Sequence, residues 1–514
     1  MAVLFERFVS FAKKTPQKVA FIEGDLQLTY EQLLQQVEMH SQRLQAFQNQ
    51  QQSRLRVLSV CEKLSDNLYL ALALAKLNGT LIPANAQFTA DQLVEFATAV
   101  DANLILTDSE IKFSGIHQLL PAGRVFFMND FFKHSVSDPL RTQKDEVVNS
   151  QNHYPEDDSF LIALSSGSTG KPKPIVISQA SKLGRAQQSI DLYGLNSKDV
   201  VLNASPFFHS LGQRLSFVPL MTGATLVVLP KFTPKSWIEA VEKNRVSFTI
   251  PVATHLYALQ PVLEENFSRL TSLQTLVTSS APIDTDFKQQ FAKEVGCELH
   301  EIYGATEVAI ATNLAPEDFS EKVHTVGVAC KDIEIRILDE NRQRLPAGQT
   351  GEIAVKTPLM FSGYYKLPEL THDSMVNGFF RTGDLGYWDE DGFLVYVSRQ
   401  KDVIITGGIN IYPAVIENAL TQVTDLTSVC VIGVNDALFG EVVIAICVGD
   451  SELEGELRQI ANQKLASYQR PMRYFFVESL PLTPSGKIDK MALREQYNNL
   501  GEDWSALMRA MLYR

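Results

Sequence analysis

Residues 165–173 read Ser-Ser-Gly-Ser-Thr-Gly-Lys-Pro-Lys and follow the apolar run Phe160-Leu161-Ile162-Ala163-Leu164. That composition suits a polyphosphate. Hydroxyls and backbone N–H groups donate to phosphate oxygens, glycines let the backbone come close, and lysines supply charge. A Walker loop requires Gly-x-x-x-x-Gly-Lys-Ser/Thr. Here Ser165 and Pro172 stand where that pattern needs Gly and Ser/Thr. The stretch reads as a nucleotide-directed loop of another kind, although a plain Gly/Ser turn has a similar composition.

Four further segments carry chemistry of their own. Tyr303-Gly304-Ala305-Thr306-Glu307 follows the strand pattern Glu298–Ile302. Its Tyr offers a flat face for a purine, and Glu307 is a hard oxygen ligand of the kind that holds Mg²⁺ beside phosphates. Arg381-Thr382-Gly383-Asp384 places a carboxylate in a tight turn, where it can accept both ribose hydroxyls; a simple Asx turn reads the same way. Ser398–Pro413 contains Lys401 and the pair Gly407-Gly408, which fits either an interdomain hinge with a mobile loop or a plain hairpin. Near the C-terminal end, Pro481–Lys490 sets Lys487 on a Pro/Gly-defined loop. A cation held there suits charge developing in phosphoryl or adenylyl transfer.

The elements that must position these residues follow a βα rhythm. Thr29 before Glu31-Gln32-Leu33 offers a capping box, and Leu68–Leu77 reads as a helix stopped by Asn78-Gly79. Val57–Val60, Thr80–Ile82, Val200–Leu202, Thr225–Leu229, Ser247–Ile250 and Thr275–Thr278 read as strands of covered parallel sheets. Near residue 326 the texture changes to short strands between Gly and Asp turns, as in a small β-barrel, and after about residue 400 to a compact α+β tail. Residues 134–158 read as a polar surface connector.

Bulk properties set limits. A chain of 514 residues is too long for one core. Its 45% apolar and 20% charged content is that of a soluble globular protein. A net charge of −13 argues against general binding to nucleic acid or anionic membranes. Cys61, Cys297, Cys330, Cys430 and Cys447 are scattered without metal spacing, as expected of reduced thiols in a cytoplasmic protein. No apolar run reaches membrane-spanning length, and the charged first 14 residues do not read as a signal peptide.

Taken together, the order and spacing of the five segments resemble the adenylate-forming superfamily, which comprises acyl- and aryl-CoA synthetases, peptide-synthetase adenylation domains and beetle luciferases. The resemblance spans about residue 10 to 495. It implies an α/β fold with a large N-terminal domain of two α/β subdomains and a small β-barrel, here residues 1–398, and a small mobile α+β C-terminal domain, residues 399–514. It also implies two half-reactions, in which a carboxylate attacks the α-phosphorus of MgATP and a thiol then displaces AMP.

Matched position by position, the resemblance implies that Ser168, Thr169 and Lys173 hold the β- and γ-phosphates. Glu307 would bind Mg²⁺, with Thr306 at the α-phosphate. Ala281, Pro282 and Tyr303 would enclose adenine, and Asp384 and Arg399 the ribose. Lys487 would serve adenylation, Lys401 the hinge, and Gly408 the pantetheine tunnel. His209 would gate the acyl carboxylate, with Ser210, Ala281 and Ile302 in the substrate pocket. Two departures stand out. Pro174 replaces the Gly that usually follows the loop, and Ser178-Gln179 replace the usual Thr-His.

For the acid, Phe207, Phe208 and His209 offer no partner for a substrate ammonium, which argues against a free amino acid. Ile302, where relatives with long tunnels have Gly, favours an aryl or short-to-medium acyl acid, and Ala253–Leu256 resembles benzoate-type ligases. For the thiol, coenzyme A is favoured, with Phe439 stacking on its adenine and Arg470 or Arg473 meeting phosphate; a carrier-protein phosphopantetheine is the alternative. A luciferase-like oxidoreductase and a non-catalytic nucleotide-binding protein remain as other classes. Oligomeric state, monomer or homodimer, stays open.

Overall fold

The computed structural model describes residues 3–119, 124–133, 159–165, 173–279, 285–436, 439–483 and 487–500. The expected connector at 134–158 lies outside them. The chain forms two compact units. The first contains residues 1–323, 330–334 and 356–380, and the second 324–329, 335–355 and 381–514.

Two α/β sheets build the first unit. One includes, in spatial order, Ala309–Leu314, Glu298–Ala305, Thr275–Thr278, Phe248–Thr249, Val200–Asn203, Thr225–Val228, Val19–Glu23 and Leu26–Thr29. Its central pairings are parallel, and each end closes with an antiparallel hairpin. The other runs Gly363–Tyr364, Lys173–Ser178, Ser159–Ser165, Thr80–Pro83, Arg56–Val60, Leu104–Thr107 and Val125–Phe127. Val57, Leu58, Leu81, Ile82, Leu104 and Leu106 are fully or almost fully buried, so these strands read as continuous apolar runs.

Local signals set the helix ends. Thr29 and Gln32 form a reciprocal capping box for helix Tyr30–Gln51. Helix Leu64–Leu77 stops at Asn78, whose φ of 56° is left-handed. In helix Val3–Lys14 the stripe Leu4, Phe5, Phe8 and Ala12 is buried in packing.

The sheet register also accounts for Pro174. Leu164 pairs with Pro174 and Ser165 with Lys173 in an antiparallel hairpin. The carbonyl of Pro174 accepts from the Tyr365 N–H at 2.8 Å. A strand residue's nitrogen and carbonyl point to the same side. The missing donor of Pro174 therefore faces the side of Gly363–Tyr364, just past that short strand's end, and the ladder to Ser159–Ser165 loses nothing.

In the second unit, Leu394–Arg399 pairs antiparallel with the strand Phe379–Trp388, which sets Asp384 opposite Arg399. The α+β tail holds a sheet ordered Ile409–Ile411, Ile404–Thr406, Gly440–Val448 and Ser428–Asp436, with Arg473–Val477 parallel to Gly440–Val448. Along Ser428–Asp436 side chains alternate between two cores. Val429 and Val431 pack with helices Pro413–Leu420 and Glu454–Lys464, while Cys430, Ile432 and Val434 pack with Leu493 and Tyr497 of helix Lys490–Asn498. All five cysteines are free and buried. No helix among the described residues is long and apolar enough to cross a membrane.

Candidate active site

In the first unit, Thr306 and Glu307 sit in the turn between strands Glu298–Ala305 and Ala309–Leu314. The turn is tight: a Cβ at Gly304 would lie 2.0 Å from the Ala309 carbonyl oxygen, and Ala309 itself has a φ of 66°. Gly304 thus serves the hairpin's register shift. Its neighbour Tyr303 is buried in the same strand, as is Ile302.

Buried Arg185, on helix Gln179–Tyr193, holds this turn in place. Its guanidinium donates to the Thr306 carbonyl at 2.7 Å, to the Glu307 carbonyl at 3.3 Å and to Leu359 at 2.8 Å. Burial, and then the charge of Arg214, lower its pKa, while Glu307 opposes the shift. A guanidinium stays protonated under such conditions. The Phe361 N–H also donates to the Glu307 carbonyl, at 2.7 Å.

The side chain of Glu307 is oriented as well. Its Oε1 accepts from the Tyr364 hydroxyl at 3.0 Å. Burial, and then Glu307, raise the Tyr364 pKa, so the hydroxyl remains a donor. The Oε2 atom makes no hydrogen bond among the described residues. A carboxylate with one oxygen oriented and the other free fits a hard divalent cation, which takes one or two carboxylates together with phosphate oxygens. Lys173, the first residue of strand Lys173–Ser178, lies over the Tyr364 ring at 5.5 Å. Tyr364→Phe should therefore raise the Mg²⁺ concentration needed for half-maximal activity about tenfold, the usual effect of losing a group that orients a metal ligand. A Mg²⁺ titration of the variant would test this, and an unchanged requirement would remove Tyr364 from the site.

His209 is the N-cap of helix Ser210–Thr222, with its ring 4.2 Å from that of Phe208. Ser210, in the first turn, is half-buried. Ser168, Thr169, Ala281 and Pro282 lie outside the described residues.

The second unit carries a separate group. Arg399 Nε lies 3.3 Å from Asp384 Oδ1, and the Asp384 side chain is buried while that of Arg399 is half-exposed. Lys487 exchanges hydrogen bonds with Thr483: its N–H donates to the Thr483 hydroxyl, and its carbonyl accepts from the Thr483 N–H. The residue is exposed to solvent. Its ammonium nevertheless has a lowered pKa, first from surrounding protein, then from Arg399 and also Lys401, with Asp384 opposing. Solvent contact keeps that shift moderate. Burial likewise lowers Lys401, whose carbonyl accepts from Arg494 at 3.3 Å. Asp384, Arg399, Lys401 and Lys487 thus influence one another electrostatically, and Asp402 and Arg494 act on Lys401 as well.

Gly407 and Gly408, with φ of 56° and 82°, form the turn of a hairpin between Ile404–Thr406 and Ile409–Ile411. Phe439 packs partly into the tail core, and its carbonyl accepts from the Gly407 N–H. Arg473 is exposed on its strand, and Arg470 donates to the carbonyls of Leu465 and Asn462.

A model of the AMP-binding enzyme family matches residues 8–365, and the AMP-binding enzyme C-terminal domain matches residues 415–487. The chain belongs to the AMP-binding enzyme family. Among its relatives in this family, an indoleacetate–CoA ligase of Aromatoleum aromaticum is 35% identical over 65% of this chain and 67% of its own length. A 2-succinylbenzoate–CoA ligase of Bacillus licheniformis is 30% identical over 93% of this chain and 96% of its own. Of solved structures, ATP-bound MatB from Rhodopseudomonas palustris superposes with a TM-score of 0.85 at 26% identity, covering 98% of this chain and all of that one. The o-succinylbenzoate CoA synthetase of Bacillus subtilis with its acyl-adenylate does so at 0.83 and 25% identity, covering 96% and 98%.

Sequence reasoning missed Arg185 and Tyr364. For Arg185 a signal was present. Lys182, Arg185, Ala186, Ser189 and Tyr193 form the buried stripe of their helix, so two cations fall at helical core spacing. Tyr364 had none, because its role depends on a strand pairing distant in sequence.

Proposed function

We propose that this enzyme couples an aryl or short-to-medium acyl acid to coenzyme A through an acyl-adenylate. As an AMP-forming acid–thiol ligase, it activates a carboxylic acid with ATP, releases pyrophosphate and transfers the acyl group to a thiol. The observation that carries the reading is Glu307, whose backbone is held by Arg185 and whose carboxylate is oriented by Tyr364 with one oxygen free among the described residues. Mg²⁺, held there, would neutralise phosphate charge. Thr306 then serves the α-phosphate and Lys173, with Ser168 and Thr169, the departing pyrophosphate. Asp384 and Arg399 take the ribose, and Tyr303, with Ala281 and Pro282, the adenine. His209 and Ser210 border the acid.

Residues 399–514 act as a mobile domain that turns at Lys401, exchanging Lys487 for Gly408 between the half-reactions. The aryl preference is supported by the buried Ile302 and by relatives named for indoleacetate and 2-succinylbenzoate. Phe439 and Arg473 serve the coenzyme A nucleotide. Five buried, unpaired thiols suit the reducing cytoplasm.

Acid-dependent exchange of pyrophosphate into ATP tests the first step. Exchange is expected with at least one aryl or short-chain acid, and none across a broad panel would refute the reading. Supplying coenzyme A or a holo-carrier protein then identifies the acceptor by which thioester forms.

A further inference from the structure

Helices Gln179–Tyr193 and Ser210–Thr222 pack together and carry three cations on their facing sides, Lys182, Arg185 and Arg214. The three repel one another, and among the described residues Glu307 is the one carboxylate that offsets any of them, acting on Arg185. Lys182 is buried and spends a proton on the Gln213 amide oxygen at 2.8 Å. Arg185 spends its protons on backbone carbonyls. Arg214 spends none: among the described residues its guanidinium makes no hydrogen bond and no ion pair. Beside it, the Tyr193 hydroxyl is buried and also without a partner. A buried hydroxyl left unpaired is costly to the folded chain, and such cost, beside a guanidinium with no protein partner among the described residues, is tolerated at sites that bind something.

The position of Arg214 says what that is. Helix Ser210–Thr222 is buried at Gly212, Gln213 and every position from Leu215 on; Ser210, Leu211 and Arg214 are its less buried residues. Ser210 and Arg214 share one face, one turn or roughly 6 Å apart. The helix begins beside His209, at the end assigned above to the reacting carboxylate. A second anion about one ring or a short chain further along the acid would meet Arg214.

We propose that Arg214, assisted by the Tyr193 hydroxyl, selects acids that bear a second carboxylate, so that the preferred substrate is a dicarboxylic acid. The inference rests on the acid-activating reading above.

The test compares acids that differ only by carboxylate for methyl: succinate with butyrate, glutarate with valerate, phthalate with o-toluate. Pyrophosphate exchange by the full chain should favour the dicarboxylate of the best pair about 100-fold in kcat/KM. Arg214→Met should shrink that ratio about 30-fold, and Tyr193→Phe should shrink it less. Because Arg214 holds nothing in the fold, Arg214→Met should melt at the same temperature or higher. A ratio near one in every pair, or a variant that loses stability and both acids equally, would overturn the proposal. If no acid supports exchange, the acid-activating reading fails, and thermal shift still decides the anion site. Stabilisation of the natural chain but not of Arg214→Met by the dicarboxylates supports it, and equal shifts refute it.

Discussion

Lys487→Ala is expected to slow acyl-adenylate formation by about 10²–10³-fold, the usual cost of removing one preorganised group from a developing charge. The same protein, given preformed acyl-adenylate and coenzyme A, should make thioester at close to the natural rate. This split follows from the position of Lys487. It stands on a loop tied by Thr483 in a cluster with Arg399 and Lys401, where an added negative charge is stabilised. The protonated ammonium is the useful form. Surrounding protein, and then Arg399, lower its pKa, so adenylation should fall on the alkaline side at a lower pH than an ordinary lysine would impose. Arg399→Gln removes one lowering cause and should move that limb upward. Equal loss of both half-reactions in Lys487→Ala would show that the two steps share one arrangement of the chain.

Arg185→Met should be damaging in a different way. The substitution strips the Thr306 carbonyl of its Arg185 donor and leaves the Glu307 carbonyl with the Phe361 N–H and the Leu359 carbonyl with the Ser181 hydroxyl, at a cost of roughly 3 kcal/mol. Relief of repulsion with Arg214 offsets part of this. The urea midpoint should fall, and in the folded fraction the Mg²⁺ requirement should rise, because the turn that presents Glu307 is no longer fixed. Arg185→Lys keeps charge but reaches fewer carbonyls, and should lie between the two. A variant with the stability and Mg²⁺ dependence of the natural chain would mean that the hairpin holds Glu307 unaided.

Features set by neighbours in sequence were legible before any coordinates. The Thr29 cap and the Asn78 stop depend on side chains a few positions apart. Membership of the AMP-binding enzyme family was legible because the five segments that carry the resemblance are short stretches. Arg185 and Tyr364 act on Glu307 from more than a hundred and more than fifty positions away, through a helix contact and a strand pairing. The constraint on Gly304, the Ala309 carbonyl across the hairpin, comes from a pairing that the sequence does not display. Pro174 stood out as a departure from the usual Gly, and the register places its missing N–H where no strand needs it.

The burial of every cysteine has a practical consequence. Thiol probes should react slowly with the folded natural chain. A single cysteine introduced on an exposed helix of the tail, such as Glu454–Lys464, would then be the fast-labelling site. A fluorophore placed there could follow the tail through a catalytic cycle, with little background and no need to delete native thiols.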